Sequence, residues 1–517
     1  MKTMKRFSAI LIAVLMMVAM MAVPASAAPT HSITISNAGG HEFTAYQIFT
    51  GDLSGAVLSN IEWGTGVKPD TLLPALKTAD ARFAGCATAA DVALILEAAT
   101  WTEADTINFA KIVAGHLGTS QGTGTAGSNY VISGLEPGYY IVIDTSNLTD
   151  KDDANSRYIV SVTKNTAIEI KKAVPTLGKA VSLKADTGYG EAVNAAISNT
   201  VYFALTATMH ARVNDYNTFY LQFEDTLPSS LNYVDLVSVY VNSTPVNKNL
   251  VSVDSTGSTL KFTVADAKSV ISGATGGASV SATDALTVVF SATVTGNGLV
   301  YGGEGNTNSA VLHFSNNPNN AASMGKTSSD TAKVYSYQLV VNKADATTNA
   351  KLADAQFVIK FLDDNGNTKF IKATGSTGDY TVESIVDSEN DATLLVSDAN
   401  GQFVLKGLRQ REYHLIEKVA PEGYNKIPEA DEQKVTITPT LSGDVLTALN
   451  ASRTGSYTTL NGTDKDAGSV TVTITNNQGA TLPSTGGIGT TIFYCIGGLL
   501  VIGALALLTV RKRSTAK

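Results

Sequence analysis

Two cysteines, Cys86 and Cys495, are all that 517 residues contain, and they form no CxxC pair. Cys495 lies in an apolar run near the C-terminus, which leaves the body of the chain one cysteine and no internal disulfide. The six histidines, His31, His41, His116, His210, His313 and His414, show no metal-ligand spacing, so the sequence offers no metal site and calls for no cofactor. Charge is scarce too. Only 16% of residues are charged and the formal net charge is −8, so no basic stripe can neutralise phosphates, and nucleic acid is excluded as a partner. The N-terminal third of the chain, where a catalytic domain would have to lie, also lacks a defensible nucleophile–base–acid set and a carboxylate pair suited to cleaving glycans, which argues against an enzyme. Cys86, alone beside a helical stretch, reads as a packing residue.

Glycine, threonine, serine, valine and asparagine abound instead. That composition favours many short strands and turns, hence an all-β chain of tandem Ig-like β-sandwiches. Both ends are hydrophobic. Lys2, Lys5 and Arg6 precede an apolar stretch at 9–23, and Ala25-Ser26-Ala27 supplies small residues for a signal peptidase, so 1–27 reads as a signal peptide. At the other end, Leu482-Pro483-Ser484-Thr485-Gly486, within 481–487, is followed by the uncharged run 488–510 and the basic tail 511–517. As a helix the run is roughly 35 Å long, enough to cross a hydrocarbon core of about 30 Å. Arg511, Lys512, Arg513 and Lys517 then stay cytoplasmic. Motif, span and tail in this order resemble the cell-wall sorting signal of Gram-positive surface proteins. The resemblance implies that a sortase recognises Leu482 and Pro483, cuts between Thr485 and Gly486, and passes the threonyl acyl group to an amine.

Three modules lie between the ends. The first, 28–173, alternates as strands at 32–35 and 43–49, shows helical spacing at 89–98 and 103–116, and closes with strands at 130–132, 139–143 and 158–162. The second, 174–332, and the third, 333–480, read as β-sandwiches, with polar joints such as 316–330. An internal echo matches Gly407-Leu408, Tyr413, Leu415 and Glu417 with Gly134-Leu135, Tyr140, Val142 and Asp144 at identical spacing. Alternation puts Tyr413, Leu415 and Glu417 on one face, the core face, where a carboxylate is expensive unless paired or protonated.

The third module also carries Lys343 in its first strand and Asn476 at the end of its last. First and last strands of a sandwich can be neighbours, so lysine, carboxylate and asparagine could meet in the core. Burial lowers a lysine pKa and raises a carboxyl pKa, leaving a neutral nucleophilic amine beside a protonated donor. The acid would polarise the asparagine carbonyl and shuttle protons, ammonia would leave, and a Lys–Asn isopeptide bond would close. The segment from Tyr413 to Tyr424, with Ala420-Pro421-Glu422-Gly423, resembles the E-box of Cna B-type domains found in pilins and adhesins, and Asp398 to Phe403 fits as well. That family implies Lys343 and Asn476 as bond partners and Glu417 as the catalytic acid. The chain departs from it at Arg411, where glycine is usual.

The second module offers Lys179 after Pro175-Thr176-Leu177-Gly178, Asp225 in Phe223-Glu224-Asp225-Thr226, and Asn316 after a strand at 310–315. It resembles the middle isopeptide-forming domain of Gram-positive backbone pilins, with Glu224 and Asn317 as alternatives for acid and acceptor. The first module has Asp144 but no lysine between the signal segment and Lys68, so no internal isopeptide is expected there. Backbone pilins also carry an acceptor lysine, usually after a proline, near the end of the N-terminal domain. The matching stretch is Ile168-Glu169-Ile170-Lys171-Lys172, which implies Lys171 as the intersubunit amine with Lys172 as runner-up, Ile170 replacing the proline.

Taken together, the resemblance implies the major subunit of a covalently polymerised pilus on the cell wall, transiently held in the membrane before sorting. Its partners would be a pilus sortase, a housekeeping sortase, further copies of itself, minor pilins, peptidoglycan and a host surface ligand. The alternative is an adhesin anchored singly through Thr485.

Overall fold

The computed structural model describes residues 30–171, 173–479 and 488–514. The segment 1–27, Lys172 and the motif from Leu482 to Gly486 lie outside the described residues.

Strands dominate all three units. In the first, Gly138–Asp144 is buried on both faces and separates two cores. Tyr140 and Val142 face Ile33, Ile35, Phe43 and Ile132, between a three-stranded sheet (Tyr130–Leu135, His31–Ser36, Thr166–Glu169) and the sheet that Gly138–Asp144 belongs to. Ile141 and Ile143 face the opposite way, onto Leu72, Leu76, Phe83 and Phe109 of a helical layer. The helices Ala89–Glu97 and Glu103–Ala114 each start with a capping box, Thr88 with Asp91 and Thr102 with Asp105. A third helix, Pro69–Ala79, adds to those read from the sequence. Pro69 opens it, where a missing N–H is harmless, and Pro74 inside it disguises its helical character.

The middle unit is a sandwich. One sheet runs Thr244–Val246, Leu231–Val241, Ala285–Val294, Thr200–Thr208, Thr176–Ser182; the other contains Asp330–Tyr335, Asn306–Ser315, Leu221–Thr226 and Thr259–Val264 in that order. The polar stretch 316–330, expected as a joint, belongs to this unit: its strand Met324–Lys326 pairs with Asn306–Ser315. The chain then passes from Asp330–Tyr335 through Ser336 straight into Tyr337–Asp345, the first strand of the last unit.

In the last unit the sheet folds over itself. Tyr337–Asp345 lies parallel beside Ser469–Asn476, with Lys343 opposite Ile474 and Asp345 opposite Asn476. The middle and last units share one continuous apolar core. At their seam Ile197 N–H donates to Gly407 O at 3.0 Å. Gly407 has φ +90°, and a Cβ there would come within 2.4 Å of Ile197 Cδ1, so conformation and space both require glycine. Among the described residues one helix is long and apolar enough to cross a membrane, Ile492–Arg511, with mean hydropathy 2.4.

Candidate functional site

Strand alternation across Arg411–Val419 buries Tyr413, Leu415 and Glu417 together. The Glu417 carboxylate faces the seam between the first and last strands, where Lys343 and Asn476 are also buried. Lys343 Nζ donates to Asn476 Oδ1 and to Ile474 O (3.2 Å), and lies 3.7 Å from Glu417 Oε1. Asn476 Nδ2 donates to both Glu417 oxygens at 3.0 Å and to Asn425 O at 3.0 Å. Ile427 N–H holds Glu417 Oε2 at 2.8 Å. Burial lowers the Lys343 pKa to about 8, against the opposing pull of Glu417. A weakly basic amine thus sits against the carboxamide it would attack, with a carboxyl group against the nitrogen that would leave. At Arg411 the backbone does not adopt positive φ, so the turn needs no glycine. The guanidinium instead stacks 4.3 Å over Phe361 and pairs with Asp364 at 2.8 Å.

The middle unit brings two of its three expected residues together. Lys179 Nζ donates to Asp225 Oδ2, both side chains fully buried. Burial pushes the Lys179 ammonium down and the Asp225 carboxyl up, toward a neutral pair. Asn316 is elsewhere. Asp225 pairs with Ala310, and Asn316 lies six residues further along an extended strand, about 20 Å away. Its carboxamide is turned to the first unit, donating to Leu148 O (2.7 Å) and Asp153 O (3.3 Å) and accepting from Ser323 Oγ (2.8 Å). The alternatives face away as well. Glu224 is on the outer face near Lys261 (3.5 Å), and Asn317 accepts a turn N–H from Asn319 at 2.8 Å.

The asparagine beside the pair is Asn308. It is two residues from Ala310 on the same inward face, wholly buried, and favours the charged form of Asp225. Neither amide atom of Asn308, nor Asp225 Oδ1, has a hydrogen bond of ordinary geometry. Asn306, also buried on this face, is instead satisfied by Val300, Val334 and Ser230. The signal in the sequence was an asparagine on the inward positions of an apolar strand.

The first unit repeats the tyrosine and carboxylate without a lysine. Gly134 and Gly407 both have positive φ, Tyr140 Oη donates to Glu136 O (2.7 Å), and Tyr413 Oη donates to Arg409 O (3.0 Å). Asp144, at the position of Glu417, meets His41 Nδ1 at 2.7 Å and Asn155 Nδ2 at 3.2 Å. Lys171 follows the edge strand Thr166–Glu169, which runs parallel to His31–Ser36, and is exposed.

Comparison with known proteins places these features. Residues 337–448 match the SpaA family, described as a prealbumin-like fold domain, and 474–517 match the LPXTG cell wall anchor motif. The trypsin-resistant surface T6 protein of Streptococcus pyogenes serotype M6 is 26% identical over 269 residues, 43% of this chain; the chain spans about half (47%) of that relative's length. The T6 backbone pilin of the same organism, described as a modular three-domain structure, superposes with a TM-score of 0.50 at 13% identity, covering 88% of this chain and all of that one. The full-length major pilin SpaD of Corynebacterium diphtheriae gives a TM-score of 0.44 at 16% identity, over 87% and 98% of the two chains. By these matches the chain carries a cell wall anchor and a prealbumin-like last domain, and its fold is similar to that of the T6 backbone pilin.

Proposed function

We propose that this chain is the major shaft subunit of a covalently polymerised pilus that supports adhesion. The observation that carries the reading is the buried Lys343–Glu417–Asn476 cluster, which ties the first strand of the last domain to its last. In the internal reaction, neutral Lys343 Nζ attacks Asn476 Cγ while Glu417 gives a proton to the carboxamide. Collapse of the tetrahedral intermediate expels Nδ2 as ammonia; one proton of the amine passes back to Glu417, and the other stays on the nitrogen of the new amide. Lys179, Asp225 and Asn308 would run the same reaction in the middle domain, with Asn308 in place of Asn316 as the acceptor. Each carboxyl acts once, on its own chain. In the last domain, tension entering the first strand would then leave through the last without unzipping the sandwich.

Between subunits, a pilus sortase would break the Thr485–Gly486 amide and hold the threonyl group as a thioester. Lys171 Nζ of the next subunit would displace the sortase thiol and form the new amide, and a housekeeping sortase would pass the finished polymer to peptidoglycan. Immunoblots of wall extracts test this. A high-mass ladder that disappears in Lys171→Ala is expected, whereas a single band in the parent would leave a singly anchored adhesin. Intact mass of the soluble ectodomain should be low by two ammonia units, and an unshifted mass would refute both internal bonds.

A further inference from the structure

We propose that Tyr158 is a positioning residue for the intersubunit reaction, fixing the backbone from which Lys171 presents its amine; this rests on the reading of Lys171 as acceptor. The problem it solves is visible in the sequence. A proline before the lysine would lock φ near −65° and stiffen the approach, but residue 170 is isoleucine, which leaves both dihedrals free. The paired strand ends at Glu169, so beyond it the backbone is restrained only by individual hydrogen bonds.

Two hydrogen bonds supply the restraint. Ile170 N–H donates to Ser36 O at 3.3 Å, and Lys171 N–H donates to Tyr158 Oη at 2.8 Å. Proline at 170 would forfeit the first of these. The tyrosine is itself held from both sides. Phe43 lies 6.5 Å from its ring on the core side, and the Arg212 guanidinium sits 5.4 Å over it. Arg212 is fixed by Asp215 at 2.6 Å and donates to Arg157 O at 3.0 Å. Arg212 and Asp215 belong to the middle domain, whereas Tyr158, Arg157 and Lys171 belong to the end of the first. The acceptor is therefore braced across the joint: its backbone is tied down while its side chain stays exposed. Fixing the root of a flexible nucleophile raises its effective concentration at the acyl-enzyme without adding any contact to the reacting atoms.

The test uses the full-length chain co-expressed with its pilus sortase in a Gram-positive host. Three quantities are followed: the initial rate of ladder growth, the rate at which added hydroxylamine releases the chain from the sortase thioester, and the trypsin resistance of the unpolymerised subunit. Tyr158→Phe keeps the ring and removes the hydroxyl. It should slow ladder growth about threefold to tenfold, the span one hydrogen bond allows, with hydroxylamine release and trypsin resistance at parental levels. Arg212→Gln should act in the same direction and less strongly. Ladder growth at the parental rate in Tyr158→Phe, while Lys171→Ala makes no ladder, would overturn the positioning role and leave the acceptor standing. A full ladder in Lys171→Ala would overturn the acceptor and this inference with it. A slowed ladder with trypsin resistance lost in proportion would assign Tyr158 a purely structural part and equally defeat the proposal.

Discussion

Glu417 sits where an apolar residue would ordinarily pack, and its neighbours account for the exception. A buried carboxylate is costly unless its oxygens are satisfied, and here Asn476 and Ile427 N–H satisfy them. Replacing Glu417 with glutamine keeps the shape and removes the carboxyl proposed to shuttle protons. The ectodomain of Glu417→Gln should be heavier than the parent by about one retained ammonia, and the last domain should melt lower. A crosslink over more than a hundred residues contributes about 4–5 kcal/mol on the chain-entropy model; an unchanged mass would remove Glu417 from the reaction. This cluster was legible because Tyr413, Leu415 and Glu417 alternate onto one face and a carboxylate there breaks the pattern. The middle domain was less legible. Asn316 follows the strand Asn306–Ser315, which reads as the last of its sandwich, but Asp330–Tyr335 comes after it and the residue level with Asp225 is Ala310, in the middle of the strand. The two asparagines separate cleanly by mass: Asn308→Ala should retain one ammonia, and Asn316→Ala should match the parent's loss.

Between the strands Gly138–Asp144 and Arg157–Val162 runs a polar segment, 145–156, that docks the first domain on the second. Its anchors come from outside it. From the middle domain, Asn316 Nδ2 binds Leu148 O and Asp153 O, Asn316 O accepts from Asn155 N–H at 2.7 Å, and Met324 O accepts from Asp150 N–H at 2.9 Å. Asn316→Ala leaves two carbonyls without their donor, worth about 1–3 kcal/mol where they are buried, so limited trypsin digestion should cut at Lys151 faster than in the parent. Equal rates would show that the joint does not depend on this side chain. From its own domain the segment is held by His41, which contacts Asp144 and reaches Asp153 at 3.0 Å. Burial opposes charge on His41, but its bonds to Asp144 and Asp153 outweigh that and raise its pKa from 6.5 to about 9. The folded pKa is the higher one. Its stabilisation is therefore complete below about pH 6.5 and is lost as pH rises through about 9. The melting temperature of the first domain should fall across that window in the parent and stay flat in His41→Gln. The sequence could not reveal this element, because none of its contacts repeats with strand or helix period.

Across the whole molecule, connection between domains differs from one seam to the next. The middle and last domains share a continuous core, closed by Ile197 against Gly407, and each holds a candidate crosslink. The first domain keeps two cores of its own and has a histidine where the others have lysine. Cooperative unfolding follows shared cores and crosslinks, because both make partial opening expensive relative to opening the whole. The first domain should therefore unfold separately and at lower temperature, and the other two should unfold together above it. The chain carries its own reporter for this. Its only two tryptophans, Trp63 and Trp101, both pack against the helical core of the first domain. Tryptophan fluorescence should follow the lower of two calorimetric transitions and be finished before the upper one begins. Lys179→Ala with Lys343→Ala should lower the upper transition and leave the fluorescence midpoint where it was. Fluorescence that tracks the upper transition, or a single transition seen by both probes, would mean that the hydrogen-bonded joint at Asn316 couples the domains as firmly as a shared core does.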